Sequence, residues 1–499
     1  MSEPLAIDSA EFRKLAHRAV DLVADYLESV PKRPVFAPMS PKARESLLDD
    51  RLPDKGRPPE TVLARFQETI LPHAMGNGHP RFFGWVNSPP APLGVVAELL
   101  AAAMNPSCAG GDHAAIYLER AVVRWLMELT GFPTAGSMGI LVSGASMATL
   151  TCLAAARQRA AARDGWNVRA EGLQSPRSAL VLYTSDQGHS CIRKTAEVLG
   201  IGADAVRVVP TDREFRFDVA ALRSAIAADR ARGLTPFCVA ASAGTVSTGA
   251  IDPLDALADV CRDESLWLHV DGAYGAIAAV DPDLARRYAG LDRVDSVALD
   301  PHKWLSIPVE CGCALVRDGA LLRATWSLVP PYLRTEEGRG FGGLPWYSEY
   351  GLQQTRGFRA LKLWMVLEQL GRDGVRELVA HHVALARRLG ERVDAAPDLE
   401  RVAPVTLSIV AFRYVPRGRN LSGEALDALN TRVMETMQSE GRAFITGTVL
   451  NGRFVLRACV LHYGTRETDI DALVETVRDV GARLSSGGTG ATAGPPPKS

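Results

Sequence analysis

The chain has 499 residues, of which 47% are hydrophobic and 23% charged, and its formal net charge is −1. These values are typical of a globular protein with a sizeable core and two or three domains. With 56 basic and 57 acidic residues, the chain offers no electrostatic basis for binding nucleic acid or an anionic membrane. Its N-terminal stretch is polar and no apolar run reaches about 18 residues, so we expect neither a secretion signal nor a membrane span.

The eight cysteines are scattered along the chain and form no CxxC pair. Most lie in apolar runs, which favours buried, reduced thiols over disulfides or a metal site. We therefore expect no metal and a cytoplasmic location.

Residues 8–30 carry apolar side chains at helical spacing and predict an amphipathic helix. A proline-rich segment and two further helical stretches, 42–50 and 59–71, follow it. This N-terminal helical arm, residues 1–92, is too small to stand alone, so we expect it to pack against the main body or a second subunit.

Short apolar strands alternate with helices between residues 139 and 316, within a predicted large domain of residues 93–365. This pattern indicates an α/β fold with a mostly parallel central sheet covered by helices on both faces. In such sheets ligands bind beyond the C-terminal ends of the strands.

The pattern breaks at residues 328–350, which are rich in glycine and proline and predict a mobile loop. A smaller C-terminal α+β domain is predicted for residues 366–485. The last residues, 486–499, are low in complexity and we expect them to be disordered.

Two charged residues lie at or just after the ends of apolar strands in the predicted large domain. Asp271 ends the strand of LWLHVDGAYG, and Lys303 lies in DPHKWL, one strand–helix–strand step later. A lysine at the end of an apolar strand reaches solvent, an anion or a covalent partner. The aspartate could equally cap the following turn. His269, two residues before Asp271, shares its face and is either a supporting or a core residue.

Three further segments lie at strand ends. SGASMAT, residues 143–149, is a turn of small residues feeding a helix N-terminus, which suits an anion. His189 in DQGHS could stack on a flat ring, and Thr245 in SAGT could bond a ring substituent, although both could instead be structural. Together the segments supply what pyridoxal 5'-phosphate (PLP) needs: an amine for its aldehyde, an acid for its ring nitrogen, a stacking partner and a phosphate site.

The order and spacing of these segments resemble the fold-type-I PLP enzymes, and within them the group II amino-acid decarboxylases, with the closest likeness to aromatic-L-amino-acid decarboxylases. The segments that carry the resemblance run through nearly the whole chain, and HVDGAYG with PHKW is the most specific pair. Further matches are HPRFFGW, the VPPYLR loop, RGFRALKLW and FVLR.

The resemblance implies a role for each matching residue. Lys303 would form the Schiff base with PLP, Asp271 would pair with the ring nitrogen and His189 would stack on the ring. Tyr332, in the mobile loop, would protonate the substrate Cα after CO2 leaves. The rest of the cofactor shell would be Ala145, Ser146, Thr245, Ala273 and His302. The resemblance also implies a homodimer with active sites near the subunit interface.

The expected reaction is PLP-dependent decarboxylation of an L-amino acid, with a Trp-, Tyr-, Phe- or DOPA-like side chain, to its amine. An acidic-amino-acid decarboxylase, an aromatic aldehyde synthase and a catalytically silent scaffold remain alternatives. A tyrosine at 332 favours simple decarboxylation, since phenylalanine there accompanies aldehyde formation in this family. Arg81 stands where aromatic-selective members often carry an aromatic residue, and Thr355 is a second position that bears on the substrate. Phe82, Trp85 and Trp346 could line an aromatic pocket or fill core.

Overall fold

The computed structural model describes residues 5–174, 179–329, 339–343 and 345–486. The expected mobile loop therefore lies partly outside the described residues, and the expected disordered tail almost wholly so. Among the helices of the described ranges, none combines the length and the apolar character needed to cross a membrane.

The N-terminal arm consists of three helices: α1 (Ser9–Ser29), α2 (Pro41–Leu48) and α3 (Pro59–Thr69). Asp8 starts α1 by accepting hydrogen bonds from the backbone N–H groups of Ala10 and Glu11, both at 2.8 Å. None of the residues of these three helices is buried, which is unusual for amphipathic helices and leaves their apolar faces open.

A seven-stranded sheet forms the centre of the large part of the chain. Its strands are β1 (Met138–Val142), β2 (Leu180–Ser185), β3 (Val206–Val209), β4 (Thr235–Ser242), β5 (Trp267–Asp271), β6 (Ser296–Leu299) and β7 (Gly312–Val316). Their order across the sheet is β1-β7-β6-β5-β4-β2-β3. All neighbouring pairs are parallel except those of β7, which runs antiparallel to β1 and β6.

This topology confirms the expected mostly parallel α/β sheet. Because only β7 is reversed, the C-terminal ends of β1, β2, β4, β5 and β6 meet at one edge. Helices cover the sheet and carry its main hydrophobic core: α4 (Pro92–Met104), α5 (Ala114–Thr130), α6 (Ala145–Arg163), α7 (Val168–Glu171), α8 (Cys191–Val198), α9 (Val219–Ala231), α10 (Leu254–Asp263) and α11 (Gly319–Trp326).

A long helix, α12 (Arg359–Ala395), connects the large part to a second, antiparallel sheet. Gly371 interrupts α12 with a non-helical backbone whose φ of 59° is open to glycine at little cost, so the segment consists of the two helices that the sequence predicts. The second sheet has the order β10-β11-β9-β8 and its own hydrophobic core. Its elements are β8 (Leu399–Arg401), β9 (Ile409–Tyr414), α13 (Gly423–Glu440), β10 (Thr446–Leu450), β11 (Arg453–Cys459) and α14 (Glu467–Ser486).

Candidate active site

A cavity of about 530 Å³ opens at the edge where the parallel strands end. It is lined by the turns after five strands, so the fold itself gathers side chains that are far apart in sequence, such as Ser143 and Lys303, which are 160 residues apart. The lining includes every residue expected to hold the cofactor: Ala145, Ser146, His189, Thr245, Asp271, Ala273, His302 and Lys303.

Asp271 is the last residue of β5, and its two carboxylate oxygens have different partners. Oδ1 accepts a hydrogen bond from the Ala273 backbone N–H at 3.1 Å, and Oδ2 lies 3.9 Å from the Cys191 thiol sulfur. Ligand atoms of His189, Cys191 and Asp271 all lie within 4.8 Å of one another. Such a trio of side chains could also hold a metal ion. Burial and the Asp271 carboxylate raise the pKa of the Cys191 thiol to about 12, so this thiol is protonated at neutral pH.

Lys303 lies in the turn after β6 and points towards a second carboxylate. Its Nζ is 3.1 Å from Asp300 Oδ2, and the Asp300 side chain is almost fully buried. The neighbouring His302 ring lies 3.7 Å from the same oxygen and bonds the Cys311 backbone through Nδ1. Burial lowers the pKa of His302, so this imidazole is neutral at neutral pH.

The N-terminus of α6 faces the same cavity. Gly144 precedes the helix, and no side chain in the described part of the chain caps its first N–H groups, so these groups are free to bind an anion in the cavity. Strand β7 passes very close to this turn, since a Cβ on Gly312 would lie 2.5 Å from Gly144 Cα. Glycine at 312 therefore lets the strand pass directly beneath this turn.

These features fit PLP. The uncapped N-terminus of the 19-residue helix α6 suits a phosphate, the Lys303 amine suits an aldehyde, and the Asp271 carboxylate suits a protonated ring nitrogen. Thr245 lines the cavity, but its hydroxyl also bonds Thr248 at 2.9 Å and thereby closes its own turn. His269 lies behind the site, buried against Ser296 at 2.9 Å.

Comparison with known proteins assigns the chain to a family. The sequence profile of the pyridoxal-dependent decarboxylase conserved domain matches residues 41–415, about three quarters of the chain. The chain is a pyridoxal-dependent decarboxylase. It is therefore a PLP-dependent carboxy-lyase, as its motifs predicted.

The relatives cover almost the whole chain. An aromatic-L-amino-acid decarboxylase of Bacillus atrophaeus is 33% identical over 97% of this chain and 98% of its own length. The structure of Oryza sativa TDC with PLP and tryptamine is 29% identical, with a TM-score of 0.89 over 97% of this chain and 100% of that one. The structure of Rhodiola rosea 4-hydroxyphenylacetaldehyde synthase, also 29% identical over the same shares, has a TM-score of 0.85.

The structure separates the residues that were expected to line the decarboxylase's substrate pocket. Trp85 lines the cavity at its mouth and is about half exposed. Phe82 is buried behind it, stacked on Phe444 at 4.7 Å and 6.0 Å from the Trp85 ring. Arg81 is outside the lining, because its Nε donates to Asp469 of α14 at 2.9 Å.

The other pocket candidates also lie outside the lining. Trp346 packs over Gly110, where an added Cβ would lie 2.3 Å from its ring, and Thr355 is an exposed residue before α12. Tyr332 lies outside the described residues.

Sequence reasoning missed several residues that line the cavity. Among them are Asp300, Tyr274 and Glu310. Asp300 directly follows an apolar strand, as Asp271 ends one, and this shared position was the available signal. Tyr274 carried no such signal, since its role depends on a distant hydrogen bond of 2.6 Å to Ser408.

Proposed function

We propose that this decarboxylase acts on an aromatic L-amino acid and forms the corresponding amine and CO2. The observation that carries the proposal is the charge and shape of the cavity. Trp85, Val86, Met147 and Val246 give it apolar surface near the mouth, and Lys303 is the one lysine or arginine among its described lining residues. The names of the bacterial and rice relatives support the same substrate class.

The same charges disfavour an acidic side chain on the substrate. A second substrate carboxylate would need a cation other than Lys303, which serves the cofactor. The described lining instead contributes the carboxylates Asp271, Asp300 and Glu310. Arg81, which an acidic substrate could have used, is held by Asp469.

Each residue of the site would have one task. PLP, when bound, supplies a carbonyl carbon for amines and takes up the electrons of the bond that breaks. Lys303 would hold the cofactor covalently, and Asp271 would keep a proton at its ring nitrogen. Ala145 and Ser146 would donate backbone N–H groups to its phosphate, and His189 would cover one ring face. We propose Tyr332 as the residue that returns a proton to Cα.

The test is to incubate the PLP-loaded protein with a panel of L-amino acids and to measure CO2, amine, aldehyde and H2O2. We expect amines from Trp, Tyr, Phe or DOPA, and no CO2 from glutamate, aspartate or cysteine sulfinate. Aldehyde with H2O2 would identify the second candidate, an aldehyde synthase like the Rhodiola relative. No product at all, together with no absorbance change when PLP is added, would identify a silent scaffold.

Two variants sharpen the substrate test. Trp85→Ala removes the aromatic wall, and we expect about a tenfold or larger loss of kcat/KM for the best aromatic substrate. Arg81→Gln is the matched control outside the cavity, and it should leave the order of preference among substrates unchanged. If Arg81→Gln instead abolished activity on an acidic substrate, the aromatic assignment would be wrong.

We further propose that the protein works as a homodimer. Exposed apolar side chains form a stripe along α4, at Val96, Leu99, Leu100 and Met104, and others point out of α1 and α3. Exposed apolar surface of this kind is typical of a protein interface. All eight cysteines are free and buried, which fits the reducing cytoplasm in which we propose the enzyme works.

Sedimentation or light scattering tests the dimer. Leu99→Glu places a charge in the stripe and should halve the measured mass, because an unpaired buried charge costs several kcal/mol. Val198→Glu, at an exposed valine of α8, is the control and should leave the mass unchanged. A wild-type protein that sediments as a monomer would rule the dimer out.

A further inference from the structure

Asp300 is a buried acid in the site for which the expected cofactor shell has no task. Its Oδ2 lies 3.1 Å from Lys303 Nζ. Its Oδ1 is buried and has no hydrogen-bond partner among the residues that the structure describes. That oxygen faces Gly144, since a Cβ added there would lie 3.7 Å from it. The carboxylate thus lies between the lysine and the turn before α6.

Of the described groups that face Asp300, Lys303 is the one that carries a positive charge. His302 is 3.7 Å away, but burial lowers its pKa and leaves it neutral. Cys191 and Cys311 are also near, and burial raises the pKa of each thiol to about 12.

The other charged side chains that the structure describes around the cavity do not compete for Asp300. Glu310 is negative and already pairs with Arg359 at 2.6 Å. Asp271 is negative and is bonded to the Ala273 N–H. Lys362 acts on the same cluster from further away and pairs with Glu98.

We propose that Asp300 is the proton partner of Lys303. A buried carboxylate next to an amine favours the ammonium form of that amine, because the negative charge of the carboxylate would otherwise be poorly solvated. An ammonium cannot attack a carbonyl carbon, so the lysine must first lose a proton. Asp300 Oδ2 is in contact with Nζ and can take this proton, leaving a neutral amine and a carboxylic acid. The proton returns to Nζ when Lys303 is released.

This proposal rests on the role of Lys303 as the cofactor lysine, and it makes Asp300 a positioning residue that acts through that lysine. It is tested on the cofactor-free full-length protein, without amino acid, so that its result does not depend on the substrate. Trace labelling with acetic anhydride, which modifies only neutral amines, is followed by mass spectrometry of the peptide that contains Lys303.

We expect Asp300→Asn to label at Lys303 about tenfold or more faster than wild type at pH 7, since an adjacent opposite charge changes the neutral fraction by at least this factor. The ratio of the two rates should shrink as the pH is raised above 10, because the amine then loses its proton in both proteins. Asp300→Glu keeps the charge and should restore slow labelling at pH 7. Lys32, an exposed lysine of the N-terminal arm, is the internal reference and should label equally in all three proteins.

Equal labelling of Lys303 in wild type and Asp300→Asn at pH 7 would overturn the proposal. So would fast labelling in Asp300→Glu, because charge would then not be the cause. If Asp300→Asn does not fold, Asp300→Ser provides the same comparison. A protein that passes this test but releases no CO2 would count against the proposed function alone.

Discussion

The ion pair between Arg356 and Glu119 gives the sharpest prediction about stability. Both side chains are essentially inaccessible to solvent. The Arg356 guanidinium donates to both Glu119 carboxylate oxygens and also to the backbone carbonyls of Cys108 and Leu141. Glu119 Oε1 in turn accepts the Leu141 N–H at 2.9 Å. The pair therefore fixes the end of β1, from which the chain turns into the site.

Arg356→Met removes the cation and leaves the Glu119 carboxylate buried with one backbone donor. Breaking a buried pair from one side costs about 3–5 kcal/mol, and we expect urea denaturation to show a loss of this size. Arg124→Met breaks an exposed pair with Glu128 on the same helix α5 and should cost about 0.5 kcal/mol or less.

The double variant Arg356→Met with Glu119→Leu separates charge from packing. Replacing both partners by apolar residues of similar size is often nearly neutral, so the double variant should be more stable than Arg356→Met. The reasoning is refuted if Arg356→Met costs less than about 1 kcal/mol, or if the double variant is no more stable than the single one.

Two further predictions concern the loss of stability at acidic pH and the product that the enzyme releases. Burial lowers the pKa of His382 to about 3 and that of His462 to about 4, whereas unfolded imidazoles take up protons below about pH 6.5. Their contribution to stability is therefore present above pH 6.5 and lost as the pH falls, by about 2 kcal/mol each at pH 5. His382→Leu should weaken the drop in the urea midpoint between pH 8 and pH 5, and an undiminished drop would contradict this. Tyr332→Phe should shift the product from amine to aldehyde and H2O2, as measured by chromatography and a peroxidase assay, whereas an unchanged amine yield would count against Tyr332 as the proton donor.

Elements with local signals were predicted closely from the sequence. The amphipathic helix expected at 8–30 is found at Ser9–Ser29, because the Asp8 side chain caps its first N–H groups. The reversal of β7 could not be read in this way, since a strand carries the same alternation in either direction. Its direction is decided by its pairing with β1, more than 160 residues earlier.

The residues of the candidate site were likewise predictable only where the sequence carries a local signal. The segments that end in Asp271, Lys303 and His189 could be found because each follows an apolar strand, and strand ends converge wherever the sheet is parallel. Arg81 shows the limit of this logic: its local surroundings are compatible with a substrate contact, yet its partner Asp469 is 388 residues away. A charged side chain is placed by its counter-ion, and nothing local in the sequence says which acid that is.

The two carboxylates of the site illustrate why topology, and not residue type, assigns the chemistry. Asp271 ends β5, and Asp300 follows β6, the parallel strand beside it. Asp271 is bonded through Oδ1 to the Ala273 N–H and lies among His189 and Cys191, where the cofactor ring would be. Asp300 instead meets Lys303. Under the proposed roles, neighbouring strand ends would supply one acid for a ring nitrogen and one for an amine, so exchanging Asp for Asn should affect different steps at the two positions.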